Sequence, residues 1–443
     1  MMNTNSNAVY FLSLSLENVR CFGDKQTLDL SDGNGKPARW TVILGDNGTG
    51  KTTLLQLLSG TQICVRNLIP SNQGEVLSLY EIQPNLLRIL NNNKTQIEAI
   101  FYYGHTLTKN VACSNPITIG FDIGVNYSFT STTKLITVAN KLNKLNLYAY
   151  GANRNINRGT LTKELSKNTL SSLLFDHTEL INAEEWILQT DYTASKESAI
   201  QTQTKKLLEQ IIDVLINLLP EVTAITILTP TASYPKPAVG FKTPDCSSDK
   251  WLRLDALSLG YQTMISWMVD LAAHMFQRYP DSPNPIAEPA VVLIDEIDLH
   301  LHPKWQRTIM SYLSERFVNT QFIVTAHSPL IVQAAENANI AVLKREGDQV
   351  VIHQQPQDVK GWRIDQLLTS DLFDLPSARS PHYEALLERR RQILSKAELT
   401  KDDQAELKQL EEEIGDLPTA ETAEDIEAMD IIRRAAKLLK PET

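Results

Sequence analysis

Apolar positions in this chain fall into short, differently spaced runs, and their spacing predicts the elements. Continuous runs at Trp40–Leu44, Ala290–Ile294 and Phe322–Thr325 read as buried strands. "IEAIFYYG", "ITIGFDIGV", "YSFTS" and "LITVAN" form a β-rich part, followed by "LNLYAYGANR". Apolar residues recur at three and four in "TLSSLLFDHTELINAEEWILQTDYTA", in "AIQTQTKKLLEQIIDVLINLLP" and after "LSLG", which predicts helices. A Pro- and Ser-rich passage over 230–250 reads as a surface loop around one short strand. "IAVLKREGDQVVIHQQ" reads as a hairpin turning at Gly347-Asp348.

Three helices are expected after it. Ser380-Pro381 starts the first, with Tyr383, Leu386, Leu387 and Leu394 on one face. Leu407, Leu410 and Ile414 mark the second, stopped by Gly415; Ile426, Met429, Ile432, Ala436 and Leu439 mark the third, with Thr422 and Asp425 as a cap. Such stripes must bury against something, either the rest of the chain or a partner.

Composition narrows the class only coarsely. The chain has 443 residues, enough for two or three lobes, with 42% hydrophobic and 21% charged residues. No apolar stretch is long enough to span a bilayer, and the amino terminus reads as a first strand rather than a signal peptide. The four cysteines are scattered without CxxC spacing, which suits a reducing, cytoplasmic setting and argues against zinc. A net charge of −10 gives the whole surface no nucleic-acid footprint. Arg389, Arg390 and Arg391 are flanked by acids and read as a solvated face.

The chemistry begins after the first buried run. Gly45-Asp46-Asn47-Gly48-Thr49-Gly50-Lys51-Thr52-Thr53 is a full phosphate-loop pattern between a strand and a helix. Its glycines let backbone N–H groups turn inward as an anion nest at a helix N-terminus. Lys51 is placed for the β- and γ-phosphates of ATP and the Thr52 hydroxyl for Mg²⁺.

Such a site also needs an acid for Mg²⁺ and a group that orients the attacking water. Asp295, at the end of the Ala290–Ile294 run, suits the first role and Glu296 the second. His327 follows the Phe322–Thr325 run, and at the carboxyl end of a parallel strand it would face the same crevice. Ser258 and Gly260 open a long helix, an anion site by geometry though also an ordinary helix start. Arg154 follows a strand end and is either within reach of phosphate or an exposed structural residue.

These pieces, in this order, resemble the ABC-type ATPase heads of the SMC, RecF, Rad50 and OLD-like group. "GDNGTGKTT" is the phosphate loop, "LSLG" the signature, "LIDEIDLHLHP" the Walker B with its D-loop, and "TAHSP" the switch histidine. "YGANR", "LLFDHTELINAEEWILQ" and "TSDLFDLPSARS" look closest to the compact PtuA-type ATPase subunits of Septu and retron-associated anti-phage systems. The resemblance implies an α/β fold: an ABC-type P-loop head with a mixed sheet, an antiparallel β part, a helical lobe and a C-terminal helical module. It implies a head-to-head homodimer with two sandwiched ATP molecules, Ser258 and Gly260 reaching the γ-phosphate held by the other copy. It implies Asn47, Gly48 and Thr53 as further nucleotide-loop positions and His327 as a γ-phosphate sensor. Leu259 and His302 depart from the transporter pattern, where Gly and Asp are usual, so hydrolysis is expected to be slow and regulated.

The organisation expected is 8–150 with the phosphate loop and β-rich part, 151–256 as helical lobe, 257–356 as the second ATPase part, and 357–443 as a docking or oligomerisation module. The function expected is an ATPase subunit that senses for or gates a separate HNH-type nuclease, with any nucleic acid engaged through that complex. A RecF-like ATPase acting directly on DNA is the alternative; the long insert and the LSLG signature disfavour a transporter subunit. The eight histidines show no HNH-like cluster; His300 and His302, if on a strand, would share a face but lack a third ligand.

Overall fold

A computed structural model of the chain describes residues 8–67, 95–104, 117–123, 144–154, 156, 169–175, 178–197, 200–219, 222–232, 235–243, 251–354, 359, 361–375, 377–396 and 400–414. The expected strands "YSFTS" and "LITVAN", the stop at Gly415 and the third C-terminal helix lie outside these residues.

The elements run in chain order as β1 (Ala8–Glu17), β2 (Gln26–Asp29), β3 (Trp40–Gly45), α1 (Lys51–Asn67), β4 (Thr95–Gly104), β5 (Ile117–Ile123) and β6 (Leu147–Tyr150). Then come α2 (Ser171–Leu174), α3 (Ala183–Ser195), α4 (Gln201–Leu218), β7 (Ala224–Leu228), β8 (Ala238–Lys242), β9 (Leu252–Arg253) and α5 (Leu259–Arg278). The remainder is β10 (Ala290–Ile294), α6 (Pro303–Gln306), α7 (Ile309–Arg316), β11 (Thr320–Thr325), α8 (Pro329–Ala334), β12 (Asn339–Glu346), β13 (Gln349–Gln354), α9 (Ile364–Leu368), α10 (Pro381–Leu394) and α11 (Lys401–Ile414).

Two sheets organise the first compact unit, Met1–Leu367. The central one has the order β13-β12-β3-β11-β10-β6, parallel throughout except for the β12–β13 hairpin. Every residue of β10 and β11 is buried, as in a sheet covered on both faces, which explains the continuous apolar runs Ala290–Ile294 and Phe322–Val324. Trp40 of β3 stacks on Phe322 of β11, ring centroids 4.3 Å apart, and locks that register. Because β3, β10 and β11 are parallel, their carboxyl ends share one edge, where ligands bind in open α/β sheets.

The second sheet, β2-β1-β4-β5, is antiparallel and packs its apolar side into the same core. Gln321 of β11 joins the two sheets. Its side chain accepts from the Phe11 N–H (2.9 Å) and donates to the carbonyls of Phe11 (2.9 Å) and Ala38 (3.3 Å). A third antiparallel sheet, β7-β8-β9, lies in the helical part of the chain.

The second compact unit, Leu368–Thr443, contains the hairpin of α10 and α11. Arg389 and Arg390 pair with Glu406 and Glu411 across it, while Arg391 pairs with Glu388 of its own helix, so the arginine run is a solvated, ion-paired face.

Candidate functional site

The loop between β3 and α1 takes the shape its glycines permit. Gly50 has φ +91°, and a Cβ there would lie 2.7 Å from the Cys21 sulfur and 2.8 Å from the Phe22 ring, so only glycine fits. Thr49 closes the turn by donating its hydroxyl to the Asp46 carbonyl (2.8 Å). The Lys51 ammonium is buried and donates to the carbonyls of Gly45 and Asp46, both at 2.8 Å. Burial pushes the Lys51 pKa down, against the opposing pull of Asp295, Glu296 and Asp46.

Thr52 opens α1 and donates its hydroxyl to Asp295 Oδ2 at 2.7 Å. The other carboxylate oxygen accepts from Thr325 at 2.6 Å. Two strand ends and the start of α1 therefore converge on one carboxylate. Hydroxyl and carboxylate oxygens held side by side are the hard donor pair that Mg²⁺ takes from a protein beside phosphates and water, so Thr52 and Asp295 fit that ion.

Glu296 follows at φ +51°, a left-handed conformation unusual for this residue type, and its N–H donates to the Thr325 hydroxyl (2.7 Å). Its carboxylate has no hydrogen-bond partner among the described residues. His327 is exposed just past β11, and its backbone N–H donates to Asp298 Oδ2 (3.0 Å), which ties the loop after β11 to the turn after β10. Asn47 and Gly48 are exposed at the tip of the phosphate loop, and Thr53 is buried behind it.

Ser258 and Gly260 sit elsewhere. Ser258 is the N-cap residue of the 20-residue helix α5 but makes no capping bond with its side chain, and Leu259 beside it is 52% exposed. No hydrogen bond joins either residue to the Lys51 loop among the described residues. Gly260 instead packs against the backbone of His300.

The structure corrects the reading of Arg154 and settles the conditional one of His300 and His302. Arg154 is neither exposed nor directed at phosphate: it is buried, and its guanidinium donates to the carbonyls of Gly151 (3.2 Å), Asp295 (2.9 Å) and Glu296. His300 and His302 are not on a strand; His300 lies in a turn at φ +64°, and His302 caps α6 by accepting from the Lys304 N–H (3.3 Å). Among the described residues no group of three or more His, Cys, Asp or Glu is arranged to hold a metal.

Sequence reading overlooked Arg20. A tight turn with Asn18 and Arg20 at positive φ carries its guanidinium onto the first turn of α1, where it donates to Thr53 Oγ1 (3.0 Å). The only hint was a basic residue just after the first strand, too common a feature to single out.

A family model described as "AAA domain" matches residues 13–219, and one described as "AAA domain, putative AbiEii toxin, Type IV TA system" matches residues 171–333. Between them they span the phosphate loop, Ser258 and Gly260, the Asp295–Glu296 turn and His327. The phosphate loop thus sits on a largely parallel sheet within residues that these models match.

The chain is similar to the Septu protein PtuA of Bacillus mycoides, with 26% identity over 390 residues, 87% of this chain and 48% of that protein. It is also similar to the "Retron Ec83 probable ATPase" of Escherichia coli, with 35% identity over 153 residues, 34% of this chain and 27% of that protein. The chain thus spans about half the length of the first relative and about a quarter of the second. Among solved structures, the SMC head domain from Thermotoga maritima matches with 14% identity and a TM-score of 0.42, covering 78% of this chain and 98% of that one. No helix among the described residues is long and apolar enough to cross a membrane.

Proposed function

We propose that this ABC-type head binds and hydrolyses MgATP and that ATP-dependent association of two copies gates a separate partner nuclease in an anti-phage complex. The observation that carries the proposal is the Thr52–Asp295 contact, which joins phosphate loop and Walker B into one site with Glu296 at its edge.

The chemistry follows from the side chains. N–H groups of the Asp46–Gly50 loop and the Lys51 ammonium receive the β- and γ-phosphates. Mg²⁺, held by Thr52 and Asp295, would neutralise charge on the phosphate oxygens. Glu296, with its carboxylate uncommitted, takes a proton from the water that attacks the γ-phosphorus as the bond to the ADP oxygen breaks. His327 reports the state of the γ-phosphate through the Asp298 link.

The opening of α5 supports the two-copy arrangement. Its first residues make no hydrogen bond to the Lys51 loop of their own chain among the described residues, and Leu259 is exposed, as a surface that a second copy would cover. ATP can drive association only if it touches both copies, and Ser258 and Gly260 supply the second contact. Similarity to the Septu and retron proteins supports the defence setting, and an HNH-type nuclease is the proposed partner.

The test is retrieval of tagged chain from its native host, as wild type and as Glu296→Gln, followed by mass spectrometry and a DNA-cleavage assay with and without ATP. A co-purifying nuclease whose activity changes with ATP is expected. A chain that returns alone, and itself binds DNA more weakly as salt rises, would overturn gating in favour of direct action on DNA.

A further inference from the structure

The Asp295–Glu296 turn is anchored on all four of its backbone polar groups. The Asp295 N–H donates to the Tyr150 carbonyl (2.8 Å), and the Glu296 N–H to Thr325 Oγ1 (2.7 Å). Both carbonyls accept from the same nitrogen of Arg154, at 2.9 Å for Asp295, and the Glu296 carbonyl also accepts from the Leu299 N–H. The Asp295 carboxylate is tied as well, to Thr52 and Thr325. Against this fixed frame, only the Glu296 carboxylate lacks a hydrogen-bond partner among the described residues.

The topology explains how Arg154 arrives there. β6 is the edge strand, parallel to β10 with Tyr150 opposite Ile294, so the chain leaving β6 runs along the end of β10 onto the two acids. The Nε of Arg154 donates back to Gly151, and this folds the side chain over the turn. Arg154 is 5% exposed, and no carboxylate oxygen lies within ion-pair distance of it among the described residues. A buried cation committed to main-chain carbonyls is costly unless its geometry is used, and a planar fork of donors holds a turn as a flexible ammonium does not. Burial lowers the Arg154 pKa to about 10, so the group stays charged at neutral pH.

We infer that Arg154 is a positioning residue for ATP hydrolysis: it fixes the left-handed turn at Glu296 and thereby the direction in which that carboxylate leaves the backbone toward the attacking water. A general base displaced by about 1 Å loses roughly 10²-fold in rate, while phosphate binding by the Lys51 loop is untouched. This inference rests on the reading of Glu296 as the base.

The test uses the full chain with Arg154→Ala, Arg154→Lys, Glu296→Gln and the Ala/Gln double variant, measuring MgATP affinity, kcat and thermal melting. Both Arg154 variants should bind MgATP within about threefold of wild type, with kcat lowered about 10²-fold in Arg154→Ala. Adding Arg154→Ala to Glu296→Gln should cause no further loss, because the arginine acts through that carboxylate; methylguanidinium should partly restore Arg154→Ala alone. Unchanged kcat, affinity falling as much as kcat, or multiplicative losses in the double variant would overturn the inference. If Arg154→Ala fails to fold, Arg154→Lys decides on kcat against affinity by the same criteria. Wild-type turnover in Glu296→Gln would remove the base itself, and the inference would fall with it.

Discussion

The backbone of Gly260 lies against the carbonyl of His300: a Cβ at Gly260 would stand 2.3 Å from that oxygen. The start of α5 and the turn after β10 are therefore packed together. In the proposed two-copy arrangement, a contact between one copy's ATP and the other's Ser258 would be passed to the turn that also carries Glu296.

Gly260→Ala should break that unit. The added methyl must push the D-loop away, at about 1–3 kcal/mol in stability. MgATP affinity of the isolated copy should hold, while ATP-dependent association, followed by sedimentation, should be lost. Unaltered association would show that the close approach has no part in coupling the copies.

Lys51 gives a prediction with a sign. Burial lowers its pKa, so between that value and the ordinary 10.5 the folded chain binds fewer protons than the unfolded one. Its contribution therefore improves as pH rises through that window, and below it the charged, buried ammonium is a cost that nucleotide phosphates relieve. Lys51→Met should be no less stable than wild type at pH 7 without nucleotide, and MgATP should not raise its melting temperature. A full MgATP-induced shift in the variant would contradict this role.

Gln321 predicts a stability loss that spares the site. Gln321→Leu leaves the Phe11 N–H without its partner and removes the donors from the carbonyls of Phe11 and Ala38, each in the core. The expected cost is about 1–3 kcal/mol in denaturant unfolding, with MgATP affinity unchanged in the folded protein.

The helical hairpin carries its own acid-sensitive latch. Thr400 and Asp403 form a capping box at the start of α11: the Thr400 N–H and hydroxyl donate to Asp403 Oδ2, and the Asp403 N–H donates to Thr400 Oγ1. Hydrogen bonds from Lys396 and then Thr400 bring the Asp403 pKa from 3.8 down to about 2. The stabilisation is thus complete above pH 3.8 and is lost as pH falls through about 2. Asp403→Asn should lower amide protection at the start of α11 at pH 6 and remove its change between pH 4 and 2. Protection equal to wild type at pH 6 would rule the latch out.

The site was legible where local sequence determines local structure. Unbroken runs such as "AVVLI" can only be strands buried on both faces, and in a parallel sheet their ends must meet at one edge. Thr52, Asp295 and Thr325 meet there. The place of Arg154 at a strand end is legible, but which carbonyls it meets is not: that depends on β6 lying beside β10, which brings Arg154 onto Asp295, 141 residues along the chain. Arg20 is illegible for a similar reason: its approach to Thr53 depends on left-handed backbone at Asn18 and Arg20, neither of them glycine. For His300 and His302 a shared strand face was only a conditional reading, and the chain turns there with His300 at positive φ.

The most direct test of the composite ATP site is steady-state MgATP hydrolysis by the wild-type chain and by Glu296→Gln, with nucleotide affinity measured on the same preparations. Glu296→Gln should retain MgATP binding and lose about 10²-fold or more in turnover. Equal turnover in the two proteins would contradict the assignment of Glu296 and with it the mechanism built on the Asp295–Glu296 turn.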